Sequence, residues 1–192
     1  MCRSHRVKTT YPTALLIAGV VAVLSAGCIV EPPVAGGAQP TPAALTPAPP
    51  AEVKSGANFG DAIELTNVVI NPSRGVAGMP VRVTLNFKVL QKLDKDYFIF
   101  VHVEDVDGRV DRLNVDHPPR SKPTSQWQPG EMVQDTFDIP IPPNMPVRGL
   151  SLLLGFWEPQ GNQRLPIVNK DAVPNDGTGR LIVAKFPVVP AQ

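Results

Sequence analysis

The chain has 192 residues, enough for one ordinary domain and short for two. Its 18 basic and 17 acidic residues nearly balance, and Arg3, Arg6 and Lys8 all precede an apolar N-terminal run, so the remainder is slightly acidic with no basic cluster. That pattern excludes an electrostatic footprint for nucleic acid, and with Cys2 and Cys28 as its two cysteines the body of the chain holds together by its core, without a disulfide.

Residues 1–27 read as a basic head ("MCRSHRVK"), an apolar middle ("ALLIAGVVAVL") and a small-residue exit ("SAG"), the layout of a secretory signal peptide. The competing reading is an uncleaved membrane helix. Ala14 to Val30 carries no charge, but it is at the short edge of what a span needs and contains two glycines. The ending "LSAGC" resembles the bacterial lipobox, which implies cleavage before Cys28 and lipidation of that cysteine. Several acyl chains on one residue anchor stably where one would not. Ile29, in place of an aspartate after the cysteine, implies delivery to the outer membrane, facing the periplasm or the cell surface, if the host has two membranes.

Residues 28–57 are expected to form a tether. Val30 to Lys54 contains Pro32, Pro33, Pro40, Pro42, Pro47, Pro49 and Pro50 among alanines, glycines and threonines. Proline supplies no backbone donor and fixes φ, so neither helix nor sheet is expected to run through. At roughly 3.1 Å per residue the segment reaches at most about 75 Å.

Residues 58–192 are expected to form the folded domain. "PVRVTLNFKVL" puts Val81, Val83, Leu85, Phe87 and Val89 on one face and Arg82, Thr84, Asn86 and Lys88 on the other, the alternation of a strand with one buried side. Further strands are predicted at 62–70, 96–105, 109–116, 132–141, 148–158 and 179–189, with a weaker one at 163–168. "DVDGR" carries the hairpin signal Asp107-Gly108, and "NPSRG", "QPGE", "PPNMP", "EPQGN" and "NDGTG" are turn chemistry. No window shows a helical stripe. The expected fold class is all-β, an antiparallel immunoglobulin-like sandwich of seven or eight strands, with a barrel as the alternative.

From about Tyr97 the motifs "FVHVEDVDGRV", "DHPP", "PTSQWQPGEMVQDTFDIPIPP" and "LLLGFWEPQGNQRLPI" follow in order. Together they resemble the β-sandwich appended to membrane glycosyltransferases of the dolichyl-phosphate-mannosyltransferase type. The resemblance implies the fold. It carries over no catalytic residue, and the membrane part of those enzymes is absent here.

Four side chains are candidates for ligand or partner contact: Trp127 in "SQWQPGE", Trp157 at a strand end, and Arg112 and His117 in the charged stretch "RVDRLNVDHPPRSKP". Each has a plainer role open to it, the tryptophans as core or end plugs, the charges as a solvated edge. Asp105, Asp107 and Asp111 are spaced much as in a calcium loop, but Val103 stands at one ligand position and the closing glutamate is missing. Zinc lacks a ligand set, and no nucleophile elbow marks a hydrolase. The expectation is a lipid-anchored binding or assembly module without enzymatic activity or cofactor. Its partners are the membrane through Cys28 and either another envelope protein or a polysaccharide, the last as an accessory to polysaccharide synthesis or export.

Overall fold

Each long strand of this chain has one apolar face, and two such faces exclude water only by closing on each other. In a computed structural model that describes residues 47–191, they do so as a two-sheet β-sandwich. The signal segment, Cys28 and most of the tether lie outside the described residues.

Ten strands form among the described residues: β1 (Ala51–Phe59), β2 (Ile63–Asn71), β3 (Gly75–Val76), β4 (Pro80–Val89), β5 (Phe98–Asp105), β6 (Leu113–Asn114), β7 (Met132–Pro140), β8 (Gly149–Glu158), β9 (Gln163–Arg164) and β10 (Leu181–Val189). One sheet has the order β1-β2-β4-β7. The other runs β3-β10-β8-β5-β6, with β9 pairing the end of β8. All pairs are antiparallel except β3 with β10. A single 3-10 turn, Thr124–Gln126, is the helical content of the described residues, and no helix there is long and apolar enough to cross a membrane.

The alternation of β4 is realised as read. Val81, Val83, Leu85 and Phe87 are fully buried while Arg82 and Lys88 are exposed. In β1, β2 and β10 the alternation breaks, and each break is a bulge. β1 gains a residue at Ser55-Gly56, where Gly56 takes φ +79°, a conformation that costs other residues dearly. β2 gains one at Thr66, so Ile63 and Leu65 precede it on the inner face and Val68 and Ile70 follow; the Thr66 hydroxyl donates to the Asn86 carbonyl at 2.9 Å. A third bulge between Ile182 and Ala184 lets Leu181, Val183, Phe186 and Val188 all reach the core.

Three expectations need correction. β1 starts at Ala51, inside the segment assigned to the tether, because Ala57 and Phe59 are buried and the ladder to β2 extends back from them as far as Ala51↔Ile70. The strand predicted at 109–116 shrinks to Leu113–Asn114 with a separate bridge from Ile99 to His117. Between them the Asp116 carboxylate, through Oδ1, takes the Val101 N–H at 2.8 Å, and Pro118 and Pro119 then stop the ladder. The weak strand at 163–168 is two residues plus a bridge from Phe59 to Ile167; Pro166 has no N–H, and its carbonyl instead accepts from Gly60 at 2.8 Å.

The ladders also give the sandwich two distinct poles. Ala51 and the end of β10 share one, where Ser73 donates to the Pro49 carbonyl and Ala77 to the Val189 carbonyl. Phe59, Phe98 and Trp157 lie at the other, the length of a nine-residue strand away, roughly 30 Å.

Candidate functional site

Strand β8 turns sharply after Trp157 through "EPQGNQR". Glu158 is buried, and its two carboxylate oxygens accept the N–H groups of Gln160 at 2.7 Å and Gly161 at 2.8 Å. A side chain at Gly161 would come within 2.6 Å of that carboxylate and oblige it to shift off its hydrogen bonds. Asn162 adopts φ +50°, which asparagine tolerates, and returns its Oδ1 to the Trp157 indole N–H at 2.9 Å. In the resulting hairpin Trp157 faces Arg164 directly.

These side chains point to the outer face of the six-stranded sheet, where β5 contributes Phe98, Phe100 and His102. Phe98 meets the half-buried Trp157 edge to face at 6.1 Å. Phe100 sits opposite Gly155, whose missing Cβ would lie 2.5 Å from the ring, and so the ring lies flat across β8. The Arg164 guanidinium covers it, 4.7 Å from the centroid. Phe100, His102, Arg112, Asp116, Trp157, Asn162 and Arg164 enclose a shallow depression of about 180 Å³. That is small beside the roughly 300–1,000 Å³ of sites that engulf a ligand, so it suits one ring or chain end presented side-on.

The charges are arranged around His102, which is 6% exposed. Burial lowers its pKa below the ordinary histidine value. Arg112 adds to the lowering, Asp116 opposes it, and Arg180 and Arg164 add further. The ring is thus uncharged at neutral pH, with Nδ1 accepting from Arg180 at 3.3 Å. Arg180 itself is clamped between Glu104 and Asp176. Burial alone would raise the Asp176 pKa, but bonds from Thr178 and Arg180 outweigh it and hold the carboxyl well below the usual range. Arg112 and Arg164 have no carboxylate partner among the described residues.

Of the side chains singled out from the sequence, Trp157 and Arg112 meet here. The other two belong elsewhere. Trp127 is fully buried; it packs on Phe87 at 5.9 Å and Phe156 at 6.3 Å, and its indole N–H donates to the Lys122 carbonyl at 3.0 Å. It plugs the core at the same pole as Trp157 but on the inner side of the sheet, with no exposed surface to offer a ligand. His117 is buried as well. Its Nε2 meets Asp135 Oδ2 at 2.8 Å and its Nδ1 the Val115 carbonyl at 2.7 Å, while Asp135 Oδ1 accepts from the Arg120 N–H. Because Asp135 belongs to β7 and His117 pairs with β5, this contact ties the two sheets together at their open edge.

Asp105 and Asp107, two of the weak calcium candidates, lie in the turn that Asp107-Gly108 signals. The Asp105 side chain has no exposed surface; it accepts the N–H groups of Asp107 and Arg109 and pairs with the Arg109 guanidinium at 3.3 Å. Burial pushes its pKa up, but these bonds prevail and hold it low. Asp107 is paired with Arg109 at 2.8 Å. Among the described residues no three His, Cys, Asp or Glu side chains are placed to hold a metal.

Phe100, His102, Asp116, Asn162 and Arg164 were not singled out as ligand contacts from the sequence. The signals available were the outward parity of Phe100 and His102 along β5, and an arginine seven residues after a strand-end tryptophan.

A wider depression of about 590 Å³ adjoins the site through Phe98, lined by Asp94, Lys95, Asp96, Glu158 and the Pro159–Gly161 turn. Its one buried carboxylate, Glu158, is already committed to the turn.

No family model matches the chain, and no curated protein matches it in sequence. Among solved structures, the fold is similar to the C-terminal domain of wzt, at 12% identity over 75% of this chain and 80% of that one, with a TM-score of 0.44. It is also similar to a Niemann-Pick type C2 protein from Japanese carpenter ant, at 11% identity over 70% and 96% of the two chains, with a TM-score of 0.36. Likenesses this distant bring no ligand or activity to this chain.

Proposed function

We propose that the protein is a lipid-anchored, extracytoplasmic binding module without catalysis of its own, and that the outer face of its six-stranded sheet binds a saccharide of the cell envelope. The observation that carries this reading is Trp157. It is a partly exposed indole, held in orientation by Asn162 and Phe98, at the rim of a depression lined with planar polar side chains. An aromatic face offers apolar contact to the C–H side of a sugar ring, and Asn, Asp and Arg groups around it fix the hydroxyls. A rigid platform loses little entropy on binding. The commitment of His117 to Asp135 and Val115, and the burial of His102, support a binding rather than a proton-transferring role.

Trp157→Ala is expected to leave stability within about 1 kcal/mol of the parent, as for a partly exposed side chain away from the core, and to abolish binding to envelope polysaccharide fragments. Since Trp127 and Trp157 are the two tryptophans of the chain, the emission of a Trp127→Phe variant reports the site alone. Unchanged polysaccharide affinity in Trp157→Ala, measured by calorimetry, would refute the platform.

The anchor has its own test, motivated by "LSAGC". Cys28→Ser is expected to move the protein from the membrane fraction to the soluble one or leave it uncleaved. Mass spectrometry that finds the parent protein in membranes without lipid would rule the lipoprotein reading out.

A further inference from the structure

We infer that the site selects acidic saccharides, with Arg112 and Arg164 receiving a sugar carboxylate, an inference that rests on the saccharide reading above. Three arginines surround His102, and their situations differ. Arg180 is satisfied by two carboxylates, Glu104 and Asp176. Arg112 and Arg164 line the same depression with no carboxylate partner among the described residues.

The one acidic group beside them, Asp116, has Oδ1 committed to the Val101 N–H. A single carboxylate therefore stands against two guanidinium groups, and His102, buried beneath them, adds no charge at neutral pH. The residues that line the depression thus carry one more positive than negative charge, with neither guanidinium in an ion pair among the described residues.

The geometry favours a planar anion. The Arg164 guanidinium sits over Phe100, and its Nη1 makes a long contact to the Thr178 carbonyl at 3.5 Å, so the group is drawn to this side of the depression. A guanidinium held in that way matches a carboxylate through two parallel N–H bonds, something a lysine ammonium does not offer. Trp157, directly opposite Arg164 in the β8–β9 ladder, supplies the ring contact beside the charged one. A hexuronate presents these two features together, a pyranose face and a carboxylate at its edge.

The test uses trigalacturonate and its methyl ester, which keeps the ring and removes the charge. Affinities are read from Trp157 emission in the Trp127→Phe background and by calorimetry on the parent. The acid is expected to bind at least tenfold more tightly than the ester, with an affinity that falls as salt rises. Arg112→Gln and Arg164→Gln should each weaken the acid by about ten- to a hundredfold, the worth of a charge-assisted hydrogen bond, and weaken the ester much less, so that the preference for acid over ester shrinks. Melting curves of both variants show that the fold is retained.

If acid and ester bind equally, and neither arginine variant matters while Trp157→Ala still abolishes binding, the charge inference is overturned and the saccharide reading survives. If neither form binds, and neutral oligosaccharides of dextran leave Trp157 unaffected too, both fall together.

Discussion

Trp127→Ala is expected to cost about 3–5 kcal/mol and to lower the melting temperature by on the order of 10 °C. The side chain is the largest of the fully buried ones. It fills the core between Phe87 and Phe156, rings that themselves pack edge to face at 5.3 Å. Truncation leaves a cavity that those aromatic neighbours cannot close without losing their own contacts. It also removes the indole donor from the Lys122 carbonyl, a part-buried hydrogen bond worth about 1 kcal/mol more. Trp157→Ala is the matched control, the same substitution thirty residues on with the ring at the surface. Denaturant melts that show equal losses for the two would contradict their assigned places.

Val83→Asp should be as damaging or worse. Val83 is fully buried at the middle of β4, between Ile70 on β2 and Phe137 on β7. A carboxylate there has no cation to meet, so it must either ionise in an apolar medium or take up a proton. Either way the loss is several kcal/mol, a large part of the roughly 5–15 kcal/mol that stabilises an ordinary domain. Lys88→Asp, on the opposite face of the same strand, places like charge across from Glu64 and costs at most about 1 kcal/mol. Circular-dichroism melts check the contrast, and similar midpoints for the two variants would show the register to be wrong.

Sequence alone determined most of the architecture, because alternation is a local property. Wherever inward and outward residues simply alternate, as from Val81 to Ile139 along β4 and β7, each strand declares its own buried face. Turns were legible for a similar reason. Proline and glycine act on their own φ and ψ, and that is why the "EPQGN" turn could be placed without knowing what surrounds it.

What escaped depended on partners distant in the chain. β1 hid in the proline-rich stretch because its evidence is a ladder to β2, not a pattern of its own, and the bulge at Gly56 breaks what alternation it has. His117 reads as a candidate contact in a charged stretch until Asp135 arrives from the other sheet. Asp105 reads at most as a weak calcium candidate beside an Asp-Gly turn, and only the folded chain shows Arg109 covering it.

The site itself is the clearest case. Trp157 and Arg112 were visible as residue types, but no local rule joins them to Phe100, His102 and Arg164. Those side chains come from β5, the segment after it and the β8–β9 hairpin, and they converge because β5 pairs with β8 across some fifty residues of sequence. Hydrogen bonding between strands set that meeting, and the absence of a side chain at Gly155 gave Phe100 and Arg164 room to stack. Composition and periodicity determine which face of a strand is wet; only strand order decides which wet residues become neighbours.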